Sequence, residues 1–208
     1  MNRKITCFCD NSFDVEVPEE IDLDSGNYLE EILSGSFLNF ICPSCGKKHK
    51  PEFPITVAWP SKNLRFEVFP ELERGEFYRQ KKKPAEKATV IRETIIGYPE
   101  LADRLVVIRS GLEPIVIEAI KYFLHLKAEE QYPEDELDIW YFSSTQDSLE
   151  FHIHGIKENE VAVMKVPISL YEKTLSDYKQ HPKNELFSAL RVRSYLSVKN
   201  TMRHEALK

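Results

Sequence analysis

Cys42-Pro43-Ser44-Cys45-Gly46, taken with Cys7-Phe8-Cys9 near the start of the chain, accounts for all 4 cysteines of the 208 residues. Two close pairs separated by a longer stretch match the needs of a tetrahedral zinc ion. Each pair chelates from one local turn, and the intervening chain brings the turns together. In the second pair Pro43 fixes its own φ and Gly46 can take a positive φ without steric conflict. Such a turn aims backbone N–H groups at sulfur. Four thiolates around Zn²⁺ leave a net charge of about −2, and Lys47, Lys48 and Lys50 follow the second pair where they would offset it.

The first pair has a single intervening residue. On an extended strand Cys7 and Cys9 project to the same face. The sulfurs of a tetrahedral site lie roughly 3.8 Å apart, closer than a flat strand presents them, so a kink around Phe8 is expected. On this reading Cys7, Cys9, Cys42 and Cys45 are the ligands of one structural Zn²⁺, with His49 as a reserve ligand. Three other readings use the same residues. A disulfide framework needs an oxidising compartment, and Met-Asn-Arg-Lys-Ile-Thr lacks the apolar core of a signal peptide. Four unrelated buried thiols are another reading, though chance rarely groups every cysteine of a chain into two pairs. A redox pair at Cys42 and Cys45 would sit in a βαβ context that the neighbouring sequence lacks.

Between the pairs, Tyr28-Leu29-Glu30-Glu31-Ile32-Leu33-Ser34-Gly35 is helix-like and leads to Phe37-Leu38-Asn39-Phe40-Ile41. With the Cys-Pro-Ser-Cys-Gly element, this arrangement resembles the CpXC domain, a metal-binding domain of bacterial and archaeal proteins named for two Cys-Pro-x-Cys elements. The resemblance covers about residues 1 to 80, and Arg109-Ser110-Gly111-Leu112, Ile117-Glu118 and Lys121-Tyr122-Phe123 are similar to the C-terminal region of longer members. It implies a metal site built from both pairs and brings no activity with it. Two departures stand out: the first element lacks its proline and one residue of spacing, and the stretch after the second pair reads Ala58-Trp59-Pro60-Ser61-Lys62.

Outward from the cysteines, Phe13, Val15 and Val17 alternate with acids as a half-buried strand does, and Pro18 stops it. Glu19 to Asp24 is read as a solvated acidic loop. Asn27 is expected to cap a helix with Glu30 as capping-box partner, and Gly35 to end it. Phe37 to Ile41, Phe53 to Trp59 and Leu64 to Phe69 are expected strands, the last two joined by a turn at Pro60-Ser61-Lys62-Asn63. The organisation expected is α+β: a zinc-ribbon-like module over 1–78 with a small antiparallel sheet and one helix, a basic linker over 79–92, and a C-terminal α+β domain over 93–208.

That second domain is expected to hold a helix over Glu100 to Ile108, broken by Gly111, and a longer one from Pro114 towards Gln131. The apolar stripe of the longer helix is Ile117, Ile120, Leu124 and Ala128. A helix this apolar is expected to be substantially buried, and Glu118 and Lys121, three residues apart on it, are read as a pair worth a few tenths of a kcal/mol with no catalytic role. Leu137–Phe142, Ser148–Ile156 and Val161–Val166 are expected as three antiparallel strands, with turns at Thr145-Gln146-Asp147 and Lys157-Glu158-Asn159, and helices are expected around Tyr171–Tyr178 and Leu186–Leu196. His152 and His154 share a strand face that is read as exposed and polar, because no third metal ligand is identifiable.

A net charge of −6 argues against a general nucleic-acid binder, since phosphate contacts draw on clustered Lys and Arg. No stretch is long and apolar enough to span a membrane. The chain has no Gly-x-Ser-x-Gly elbow, phosphate loop, dinucleotide fingerprint or His-Glu-x-x-His helix. The expectation is a cytoplasmic, non-enzymatic zinc protein that presents a surface to another protein. The rivals are a nucleic-acid-binding zinc ribbon using Lys47, Lys48, Lys50 and Lys81 to Lys83, and an enzyme with a pocket between the halves.

Overall fold

The computed structural model describes residues 1–80, 90–132, 137–157 and 160–205. It divides into two compact units, Met1–Ala102 and Asp103–Lys208. Most of the basic stretch expected as a linker, and Glu158-Asn159 of one expected turn, lie outside the described residues.

In the first unit β1 (Asn2–Thr6) and β2 (Ser12–Glu16) form an antiparallel hairpin. Then come β3 (Glu20–Asp22), α1 (Tyr28–Leu33) and a second, minimal hairpin of β4 (Phe40–Ile41) and β5 (Lys48–His49). β6 (Ile55–Trp59) and β7 (Leu64–Phe69) are joined by a 3₁₀ turn over Pro60–Lys62, which Asn63 closes in the left-handed region at φ 54°. Asn tolerates that conformation better than most side chains. α2 (Arg74–Arg79) and β8 (Ile91–Ile96) complete the set. The strands line up as β8-β7-β6-β3, with β6 and β7 antiparallel and β3/β6 and β7/β8 parallel. This sheet is therefore mixed, and residues 91–96, expected to end the linker and open the second domain, belong to the first unit through their pairing with β7. Alternation in β6 and β7 buries Ile55, Val57, Trp59, Phe66 and Val68, and Ile21, Ile95 and Ile96 are buried with them.

The local signals had mixed fates. Gly35 takes φ 67°, and Gly35 N–H donates to the Ile32 carbonyl while Ser36 N–H donates to Glu31, the paired bonds of a Schellman C-terminus. Asn27 does not cap α1 through its side chain: its ψ of 12° is far from the extended conformation that side-chain capping requires, and only its carbonyl accepts, from Glu31 N–H. The acidic stretch 19–24 is not a solvated loop. Glu20 makes a two-pronged pair with Arg65 at 2.7 and 2.9 Å, and Asp24 accepts from Ser61 N–H and hydroxyl. Those bonds hold the Asp24 carboxyl below its usual pKa.

α3 (Tyr98–Arg109) carries the chain from the first unit into the second, which continues with α4 (Pro114–Glu129), β9 (Asp138–Ser144), β10 (Ser148–His154), β11 (Ala162–Pro167) and α5 (Ile168–Gln180). The three strands form the expected antiparallel sheet in the order β11-β10-β9. α6 (Glu185–Ala189) is capped by the Asn184 side chain accepting from Phe187 N–H. Past Ala189 the expected helix gives way to a hairpin of β12 (Arg191–Val192) and β13 (Tyr195–Leu196), with Arg193 at φ 58°. The turn inverts the chain, and Leu190, Tyr195 and Leu196 are all buried. α7 (Lys199–Glu205) ends the described chain. The α4 residues Ile117, Ile120, Leu124 and Ala128 pack in one core with Leu149, Phe151 and Ile153 of β10. Among the described residues no helix is long and apolar enough to cross a membrane.

Candidate metal centre

The two cysteine pairs occupy the loops of two hairpins. In the first, Cys7 N–H donates to Asn11 and Asp10 N–H returns to the Cys7 carbonyl, both at 2.9 Å, while Asp10 turns the chain at φ 62°. In the second, Cys42 N–H donates to Lys47 and Gly46 N–H to Cys42, again at 2.9 Å, with Gly46 at φ 72°. The hairpins thus use the same pattern: the first cysteine opens the loop and a left-handed residue closes it just after the second. Asp10 fills the position that Gly46 fills, which is how a pair with one intervening residue still converges. The kink expected around Phe8 is a hairpin turn, and Cys7 and Cys9 do not share a strand.

All four Sγ atoms lie within 4.8 Å of one another, the one group of metal-capable side chains among the described residues. Cys7 Sγ is 3.5 Å from Cys45 Sγ, and Cys9 Sγ is 3.8 Å from Cys42 Sγ. Sulfurs around a tetrahedral ion with bonds of ~2.3 Å are separated by roughly 3.8 Å, so the cluster is already close to the size of a metal shell. None of the four is in a disulfide. Cys7 and Cys42 are buried, Cys9 and Cys45 exposed.

The surroundings distinguish the thiols. Burial opposes ionisation of Cys42, but the backbone N–H groups of Cys45 and Ser44 and the Asn11 amide, 3.7 Å away, outweigh it and bring its pKa down to about 6. At Cys7 the Cys9 backbone lowers the pKa, yet burial and the adjoining sulfurs prevail and push it up to about 12. Four like-charged sulfurs in one place cannot all ionise unless a cation joins them. The group is therefore chemically suited to a soft or borderline divalent ion.

The reserve ligand His49 is not part of the sulfur group. Its ring packs against Phe8 and Phe13 at centroid distances of 6.2 and 6.1 Å. Lys47 places its ammonium 4.2 Å from the centre of the Phe8 ring, and Lys50 donates to the Gly35 carbonyl. His152 and His154 form no metal group among the described residues. His152 is stacked on Phe142 at 4.1 Å and lies 3.3 Å from a Glu150 oxygen, so that face is more aromatic than expected.

One cluster escaped sequence reasoning. Glu118 and Lys121 do pair, but not as an isolated weak pair: both are buried in the second unit with Asp103 and Arg104. Lys121 donates to Asp103 Oδ2 at 2.5 Å and to Glu118 Oε1 at 3.0 Å, and Arg104 sits 3.5 Å from that same oxygen while donating to the Leu196 carbonyl at 2.8 Å. The second oxygens are also used, Asp103 accepting from Tyr141 N–H and Glu118 from Val198 N–H, each at 2.7 Å. Burial disfavours the charged form of Lys121, but Asp103 and Glu118 outweigh it and raise its pKa. For Glu118 burial is outweighed in turn by Lys121 and Arg104, and its pKa falls. His125, one turn further along α4, is buried and its pKa is lowered by that burial to about 4. The available signal was local: Glu118 and Lys121 interrupt an otherwise largely apolar run at 115–124, and residues 115–121 are buried all round the helix, leaving them no wet side.

Fold and site together define an α+β protein with a hairpin-borne cluster of four cysteines able to hold a metal ion. The family model described as CpXC protein matches residues 5–121, which carries the match beyond the first unit and into α4. A protein of Treponema pallidum (strain Nichols), described as "Uncharacterized protein", is similar at 31% identity over 214 residues, covering 95% of this chain and 97% of that one. The chain belongs to the CpXC family. No solved structure matches it.

Proposed function

We propose that the protein binds one Zn²⁺ through Cys7, Cys9, Cys42 and Cys45, that the ion is structural, and that the protein works in the cytoplasm without catalysis by presenting a surface to another protein. The observation that carries the proposal is the convergence of all four sulfurs within 4.8 Å from two separately formed hairpin loops. A tetrahedral all-thiolate shell is characteristic of zinc or of iron–sulfur centres, and a single-ion shell matches sulfur separations of 3.5 and 3.8 Å. With every position taken by a thiolate, the ion has none left for water or substrate, so it serves neither as a Lewis acid nor as a source of hydroxide. What it supplies is folding energy: β4 and β5 have 2 residues each, too short to hold a hairpin loop in place unaided.

An interaction role is supported by large apolar side chains left in water beside the cluster, Phe8 at 83% and Ile41 at 60% exposure. Charge weighs against nucleic acid. Once the loaded site contributes about −2 and Asp10 its own charge, Lys47, Lys48 and Lys50 leave a neutral surface rather than the basic footprint that phosphate binding requires. Elemental analysis of the reduced, purified protein tests the proposal: about one zinc per chain is expected, and a metal-free preparation that keeps its N-terminal fold contradicts it.

A further inference from the structure

The sulfur cluster is open on one side. Cys9 and Cys45 are exposed, while Cys7 and Cys42 are 3% and 1% exposed. Each hairpin contributes one sulfur of each kind, and two of the sulfur contacts join opposite kinds across the hairpins, Cys9 to Cys42 at 3.8 Å and Cys45 to Cys7 at 3.5 Å, while Cys7 also meets Cys9 and Cys42. Phe8 points into water beside Cys9 and does not cover it. Here a solvent-facing sulfur stands next to a shielded one on the other loop, which is the arrangement of an attacking and a resolving cysteine.

We infer that the metal centre is also a site of oxidative modification, in which hydrogen peroxide converts it to a disulfide across the two hairpins and expels the ion. This rests on the zinc reading above. The Cys9 thiolate attacks one peroxide oxygen, the O–O bond breaks, and hydroxide leaves a sulfenic acid on Cys9. The Cys42 thiolate then attacks the Cys9 sulfur, the S–O bond breaks, a second hydroxide departs and the S–S bond forms. Two thiolates have lost two electrons, the peroxide has gained them, and solvent protons turn both hydroxides to water. Cys45 and Cys7 offer the same step from the other side. Either disulfide strips the ion of two ligands at once while tying the loops of β1/β2 and β4/β5 together, so the hairpins stay joined after the metal has gone.

The test uses the full, reduced, zinc-loaded chain, with hydrogen peroxide as oxidant, a chromophoric chelator to follow released zinc, and thiol trapping with peptide mapping to locate the bonds. The expected result is zinc release about tenfold faster with peroxide than with chelator alone, accompanied by Cys9–Cys42 or Cys7–Cys45 disulfides and reversed by dithiol and added zinc. Retained zinc overturns the inference while leaving the structural zinc intact. Release with a Cys42–Cys45 disulfide, or with sulfinic acids and no bond between hairpins, overturns it equally. A reduced protein that contains no zinc from the start overturns the zinc reading, and the inference with it.

Discussion

The sulfur cluster of the first unit and the ionic cluster of the second solve the problem of gathering four ionisable groups in opposite ways. Asp103, Glu118, Arg104 and Lys121 bring two formal charges of each sign, so they can be buried together, and both carboxylates also accept backbone N–H groups. Cys7, Cys9, Cys42 and Cys45 are all of one kind, and their ionised forms repel. The first set is complete without help and can lie in the dry core. The second can be fully ionised only around a cation from outside, and it stays half open to water. The comparison teaches that self-neutrality decides where such a cluster can sit and what can dislodge it: a mutation for the ionic set, a chelator, acid or oxidant for the sulfurs.

The largest effect that separates the two belongs to Cys45→Ser. Structural zinc contributes on the order of 10 kcal/mol of apparent binding energy to folding, more than the margin of a small domain. Hydrogen exchange should therefore show loss of protection across residues 1–80 with α4 and β10 unaffected, and full protection of the N-terminal hairpins in this variant would break the distinction. Lys121→Met comes next. It leaves Asp103 and Glu118 facing each other in the core, and removing one partner from a buried ionic group costs about 3–5 kcal/mol. A lowered denaturation midpoint for the second unit with unchanged zinc content is the expected result.

Acid separates the clusters more gently. His125 has its pKa lowered from 6.5 to about 4, so between those values the unfolded state binds the proton that the folded state refuses. Stability thus rises with pH through that window, is fully present above 6.5, and is lost as pH falls towards 4, by roughly 3 kcal/mol. Denaturation of the second unit measured from pH 7 to pH 4 should show this slope, and His125→Gln should flatten it. Smallest is Gly46→Ala: at φ 72°, with no atom within 4 Å of an added Cβ, the cost is backbone strain alone, about 1 kcal/mol. Gly46→Asn should cost less, as a ranking of thermal midpoints would show.

How far the sequence discloses this protein differs between the same two regions. The four cysteines are legible because their chemistry restricts them to a few arrangements, and Pro43 and Gly46 announce the second loop. The first loop is only partly legible, since Asp10 takes the left-handed conformation without being glycine. Most strands and helices carry the apolar periodicity of their environment. β12 and β13 do not, because strands of two residues are too short to show a period, and nothing in the local sequence marks Arg193 as the residue that reverses the chain. The parallel pairing of β8 with β7 is long-range and leaves no local mark. The ionic cluster is hidden for a similar reason: Asp103 and Lys121 are 18 residues apart, and helical spacing alone makes Glu118 and Lys121 look like an isolated weak pair.

X-ray absorption at the zinc edge of the reduced, purified protein probes the sulfur centre most directly. Four sulfur scatterers at ~2.3 Å, with about one zinc per chain, are the result expected of a closed structural site. An oxygen or nitrogen in the shell, or a folded protein with no zinc to measure, would contradict it.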